Sequence, residues 1–209
     1  YFTSSLIKHP SALTYLHKRG LKDETISTFE LGFSPGNGDS LLTYMKAKGF
    51  SIENLALAGV IIQGQNGTYR DLFRQRIMIP IRDERGHLVG FGGRTTSDTG
   101  PKYINTPATP LFDKSNSLYG VNLTNLTTSD LDIVIVEGYM DTMIAHQFGY
   151  RNTIAAMGTS LTQKQVKIVR NMLAMKSNVR EGNILLALDP DTAGQEATLR
   201  SLESSWKVF

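Results

Sequence analysis

The sequence predicts an α/β protein, with a mixed helical and stranded first portion followed by a parallel-sheet portion. Three observations carry that expectation. Residues 1–60 hold apolar positions at helical spacing between start and stop signals. RIMIPI (76–81) and HLVGFGGR (87–94) read as two strands joined by a turn. From Asp132 onward, short apolar runs alternate with amphipathic runs, the pattern of parallel strands and crossover helices.

In chain order, PSALTYLHKRG (10–20) places Leu13, Tyr15 and Leu16 on helical spacing and stops at Gly20. Asp23 reads as the N-cap of a short helix through Phe29. Asp39 reads as the cap of SLLTYMKAKG (40–49), and Ser51 as the cap of a helix through Leu57. His9 and His17 stand alone and read as surface or packing residues. Pro80 argues for an edge strand or a bulge, because proline cannot donate to a ladder. Asp83-Glu84-Arg85-Gly86 supplies the hairpin turn, and Phe91 with its flanking glycines reads as hairpin packing. DIVIVEG (132–138), NTIAAMG (152–158) and NILLALD (183–189) are the expected parallel strands. YMDTMIAHQFG (139–149), TQKQVKIVRNMLAM (162–175) and AGQEATLRSLESSW (193–206) are the expected helices, with Thr159, Ser160 and Thr162 as cap candidates for the second.

Composition narrows the class. The chain has 209 residues, 40% hydrophobic and 20% charged, which suits one large domain or two modest ones. No apolar run approaches the roughly 18–20 residues of a membrane span, and the start lacks a signal-peptide layout. The expectation is a soluble cytoplasmic protein without a membrane partner. Cysteine is absent, which removes disulfides and zinc–thiolate sites from this chain. Between Arg70 and Lys114 eight Lys/Arg face five acids, a surplus equal to the net charge of +3 for the whole sequence. That bias fits either a polyanion-binding surface or a solvated basic face.

The acids are placed differently. ILLALDPDTAG (184–194) runs an apolar strand straight into Asp189 and Asp191, and IVIVE (133–137) ends on Glu137. In open parallel sheets, ligands bind at the carboxyl ends of strands. Converging carboxylates repel unless a cation sits among them, and a hard divalent ion such as Mg²⁺ or Mn²⁺ takes oxygen ligands. Asp141, one helical turn past Glu137, either faces the same mouth or fixes the helix start. The plainer reading of an Asp after a strand is a helix cap.

VEGYMD (136–141), AAMGTSLT (155–162) and LLALDPDTAG (185–194) together resemble the TOPRIM domain of primases, topoisomerases and some nucleases. YRDLFRQRIMIPIRDERGHLVGFGGR (69–94) and PKYINTPATPLFDKSNSLYG (101–120) are similar to the segments that precede TOPRIM in DnaG-type bacterial primases. YLHKRGL (15–21) and FELGFSP (29–35) match that family's opening helices, so the resemblance spans nearly the whole chain.

The resemblance implies a primase basic subdomain over 1–125 and a TOPRIM-like subdomain over 126–209 that is truncated at its C-terminus. It implies a core that makes RNA primers from NTPs on a single-stranded DNA template by two-metal nucleotidyl transfer. Asp189 and Asp191 would be metal ligands, Glu137 a ligand or general base, and Asp141 a supporting acid. Gly138 would leave room for substrate, and Gly158 would let a turn approach closely. Arg76, Arg94, Lys102 and Lys114, with Arg70 behind them, would hold phosphates; Tyr103 and Asn105 would contact a base or sugar. Members of that family also carry a Cys/His zinc module, a further acidic motif and a replicative-helicase-binding module, so the expectation is that these 209 residues are a fragment or a natural truncation. Three alternatives stay open: a non-catalytic nucleic-acid-binding remnant, another TOPRIM enzyme, and a phosphatase using DPDT as its nucleophile motif.

Overall fold

The computed structural model describes residues 1–97, 100–126, 132–158, 161–174 and 182–189. Two compact units emerge: Tyr1–Ile81 with Leu88–Asp113, and 82–87 with 114 onward.

The first unit opens with three helices, α1 (Phe2–Ile7), α2 (Pro10–Lys18) and α3 (Asp23–Thr28). Proline at the first position of α2 needs no hydrogen-bond partner there, and Ala12 and Leu16, four residues apart, turn its buried face inward. Lys22, not Asp23, occupies the N-cap of α3. Asp23 is the first helical residue, where its charge suits the helix dipole, and it accepts from His17 Nε2 at 2.7 Å. After β1 (Gly32–Ser34) come α4 (Ser40–Ala47) and α5 (Ile52–Leu57). Ser51 caps α5 as expected, accepting from the Asn54 N–H at 3.2 Å. Asp39 makes no such bond to α4. Buried Asp71 does that work from thirty residues away, accepting from the Leu41 and Leu42 N–H groups at 2.8 and 2.9 Å. A long-range cap of this kind leaves no local pattern to read.

Five further strands complete the sheets of this unit, β2 (Ile61–Gln63), β3 (Tyr69–Asp71), β4 (Arg76–Arg82), β5 (Leu88–Thr95) and β6 (Tyr103–Asn105), joining β1. β2 and β3 form a two-stranded antiparallel pair, and the larger sheet has the order β1-β4-β5-β6. Ile77, Met78, Ile79 and Ile81 are all buried, so β4 is an interior strand covered on both faces. Each such side chain contributes about 1.5–3 kcal/mol on burial. Pro80 lies past the β1 ladder, which pairs with β4 only from Arg76 to Met78, so it costs no hydrogen bond on that side. Phe91 packs edge-on to Phe2, with ring centroids 5.2 Å apart. A Cβ at Gly93 would stand 2.5 Å from Phe73 Cδ1, so the GFGG glycines let the strand meet an aromatic core.

The second unit is built on β7 (Ile133–Val136), α6 (Tyr139–Gln147), β8 (Thr153–Ala155), α7 (Gln163–Ala174) and β9 (Ile184–Leu186). Its three strands are parallel, in the order β8-β7-β9, with Val136 opposite Ala155 and Ile133 opposite Ile184. Ile133 and Ile135 pack with Val166, Val169 and Leu173 of α7 in one apolar cluster. The LYG segment joins this unit: Tyr119 bridges Ala155, and a Cβ on Gly120, whose φ is +83°, would lie 2.7 Å from Thr142 Cγ2. The third expected helix, 193–206, lies outside the described residues, as do Thr159 and Ser160. No helix among the described residues is long and apolar enough to cross a membrane.

Candidate active site

The chain leaves β7 for β8 on one side and returns to β9 on the other. β7 and β9 therefore flank the point where the connections diverge, the crevice in which open parallel sheets bind ligands. Glu137 follows β7 directly, and Asp189 follows β9 by three residues. There the Glu137 carboxylate Oε1 accepts from the Asp189 backbone N–H at 2.9 Å. Two strand ends 52 residues apart are thus tied together through one of the carboxylates that the sequence singles out.

Asp141 is the third residue of α6, and its Oδ2 accepts from the Gly138 N–H at 3.1 Å. That is one arm of a capping box, so the helix-start role left open above is real. A Cβ at Gly138 would sit 2.9 Å from that same oxygen; the glycine gives Asp141 its approach. Gly158 does not carry the positive φ at the end of β8. Met157 does, at +58°. A Cβ on Gly158 would meet Lys114 Nζ at 3.6 Å, an ordinary contact. The Lys114 ammonium therefore lies beside the loop that follows β8, on the carboxyl edge that also bears Glu137 and Asp189.

Glu137 and Asp189 offer only hard oxygen donors, which suits Mg²⁺ or Mn²⁺. Among the described residues no three carboxylates or histidines are gathered at metal-binding spacing. Asp191, the remaining ligand expected from the sequence, lies outside them.

The basic residues of the first unit divide into two kinds. Arg76 and Arg94, on neighbouring strands, are buried. Arg76 Nη1 donates to the Gly93 and Pro101 carbonyls at 3.2 and 3.0 Å, bracing β4 against β5 and the 100–102 turn. Burial, with the nearby Arg74 charge, lowers its pKa from the usual arginine value. Arg94 is held between two tyrosines: Nε donates to the Tyr15 hydroxyl and Nη1 to the Tyr103 hydroxyl. Its guanidinium carbon is 5.7 Å from the Tyr15 ring centre and 5.0 Å from that of Tyr103. Burial pulls its pKa down, but the two hydroxyl partners outweigh it and the net shift is upward. Lys102 is exposed, and Tyr103 and Asn105 are half-buried on β6, opposite Arg94 and Gly92. Arg70 stands exposed on the separate β2–β3 pair.

Tyr15 is the residue that sequence reasoning missed, treating it only as helix spacing. It also lines a cleft of about 460 Å³ with Lys18, Phe33, Gln75 and Thr96. No local signal marks it, because Arg94 is 79 residues away.

Residues 1–125 match the family described as DNA primase catalytic core, N-terminal domain, and residues 132–208 match the Toprim domain. The DNA primase of Deinococcus radiodurans is 42% identical over 205 residues, covering 97% of this chain and 34% of the relative. The RNA polymerase domain of Mycobacterium tuberculosis primase DnaG superposes with a TM-score of 0.86 at 31% identity, covering 99% of this chain and 68% of that one. A DnaG primase catalytic domain bound to ssDNA superposes with a TM-score of 0.80 at 34% identity, covering 98% and 62%. The chain spans about a third of the length of the curated relatives it matches.

Proposed function

The chain belongs to the family of DNA primase catalytic cores, and from that premise we propose that it forms the nucleotidyl-transfer centre for RNA primer synthesis on single-stranded DNA. The observation that carries the proposal is the hydrogen bond joining Glu137 to Asp189 at the divergence point of the parallel sheet.

In the proposed reaction a ribose 3′-hydroxyl attacks the α-phosphorus of an NTP. A new P–O bond forms, the bond to the β-phosphate oxygen breaks, and pyrophosphate leaves with its electron pair. Glu137, Asp189 and Asp191 would hold Mg²⁺ or Mn²⁺, which when bound supplies charge neutralisation for the attacking and leaving oxygens. In the alternative to a ligand role, Glu137 is the general base that accepts the hydroxyl proton. Asp141 holds the start of α6 and supports the acidic edge from there. Lys114 meets phosphate oxygens at that edge. Lys102, Arg70 and the Arg94–Tyr103 pair offer positive charge and an aromatic face to template or primer, with Asn105 beside them. Arg76 serves the same surface by bracing it. We further propose a functional boundary at 125/126, where the two matched families part, a cytoplasmic setting, and a replicative helicase as partner of the longer protein.

The test is incorporation of labelled NTP on a single-stranded DNA template in Mg²⁺ or Mn²⁺, with Asp189→Asn/Asp191→Asn as control. Template-dependent RNA that disappears in the double variant supports the reading. RNA made equally well by the double variant would remove the acidic edge from the chemistry.

A further inference from the structure

Lys114 owes its position to a buried amide that belongs to a different element. Gln165 is 1% exposed, and both ends of its side chain are engaged. Its Oε1 accepts from the Thr162 N–H at 3.0 Å, while Thr162 Oγ1 accepts from the Gln165 N–H at 3.1 Å. That pair is a capping box at the start of α7. A glutamate would complete such a box equally well, since only an acceptor is needed. The amide does more. Its Nε2 donates toward three carbonyls, those of Lys114 at 3.2 Å, Ser117 at 2.8 Å and Ala156 at 3.2 Å. Thr162 Oγ1 adds a fourth tie by donating to the Ser115 carbonyl.

These ties converge on two pieces of chain. One is the 3₁₀ turn Lys114–Asn116, from which the lysine side chain springs. The other is the segment after β8, where Ala156 stands two residues before Gly158, at which an added Cβ would lie 3.6 Å from the Lys114 ammonium. One amide therefore fixes both the root of the lysine and the surface it lies on. We infer that Gln165 is a positioning residue, which holds the Lys114 ammonium at the carboxyl edge of the β8-β7-β9 sheet to receive nucleotide phosphate. The inference rests on the proposed reading of Lys114 as a phosphate-binding residue.

The experiment measures binding of a fluorescent nucleoside triphosphate in Mg²⁺, as a function of salt, to the 209-residue chain. The variants are Lys114→Ala, Gln165→Met and the two combined, each compared below its own melting temperature. Losing one charge-assisted phosphate contact weakens binding about tenfold and lowers the salt slope. Gln165→Met is expected to reproduce both effects, and the double variant to bind no more weakly than Lys114→Ala alone, since a positioning residue has nothing left to position. Should Gln165→Met fail to fold, half-buried Thr162→Val loosens the same turn from Ser115 and is read in the same way. Losses that multiply in the double variant, or an unchanged salt slope in Gln165→Met, overturn the inference and leave Lys114 in its role. A Lys114→Ala variant that binds like the parent, or a parent that does not bind, overturns both.

Discussion

Glu137 and Asp189, each at the end of its own parallel strand, are joined by a 2.9 Å hydrogen bond from the Asp189 main chain to the Glu137 side chain. The bond uses one carboxylate oxygen of Glu137 and leaves the Asp189 side chain out of it. Glu137 thus both sets the relative position of the two strand ends and brings a negative charge to them.

These two roles come apart on substitution. Glu137→Gln keeps an acceptor for the Asp189 N–H and loses the charge, whereas Glu137→Ala loses both. Calorimetric titration with Mn²⁺ should show weakened binding in both variants. Chemical denaturation should show Glu137→Gln close to the parent and Glu137→Ala lower by about 0.5–1.5 kcal/mol. Undiminished Mn²⁺ affinity in Glu137→Gln would remove this carboxylate from the ligand set.

Asp189→Asn together with Asp191→Asn is expected to abolish divalent-metal binding without unfolding the chain. The Asp189 side chain is exposed, so its charge is not needed for packing. Circular dichroism supplies the folding control. Retained metal affinity would sink the assignment.

Arg94 carries two jobs that arginine and lysine perform differently. Arg94→Ala with Lys102→Ala should weaken binding of a single-stranded oligonucleotide and flatten the plot of log affinity against log salt by about 0.7 per lost phosphate contact. Arg94→Lys keeps the charge but cannot reach both the Tyr15 and Tyr103 hydroxyls with a fixed fork. It should preserve the slope while costing about 1–3 kcal/mol of stability. A double alanine variant with the parental slope would mean that these cations do not touch phosphate.

Gly93→Ala tests the aromatic core beneath the same strand. The new methyl would stand 2.5 Å from Phe73 Cδ1 and 3.1 Å from Arg76 Cδ. Overpacking of this sort costs about 1–3 kcal/mol. A thermal melt within error of the parent would show that the Phe73 ring yields freely.

Asp71 gives stability a pH dependence of definite sign. Burial, the largest influence, raises its pKa above the ordinary 3.8, although hydrogen bonds from the Leu41 and Leu42 N–H groups pull the other way. An acid whose folded pKa is raised contributes stability that is complete below the unfolded value and is lost as pH climbs through the folded one. Denaturation from pH 3 upward should therefore contain a falling component that starts near 3.8 and vanishes in Asp71→Asn. The same slope in that variant would assign the titration to another group.

Much of this molecule was legible in its sequence, because the signals are local or periodic. Helical spacing marked α2, the Ser51 cap marked α5, and apolar runs ending in acids marked β7 and β9. The motif series from GFGGR to DPDTAG was enough to indicate the primase family, which the matched families and relatives bear out. Tertiary structure decided what depends on residues far apart in the chain. It gave the α4 cap to Asp71 in place of Asp39, turned Arg76 inward as a brace, enclosed Arg94 between Tyr15 and Tyr103, and bound Glu137 to the main chain of Asp189. A buried donor or acceptor must find a partner wherever the packed chain supplies one. That partner is chosen by which strands and turns come to lie side by side, a choice that no stretch of ten or twenty residues contains.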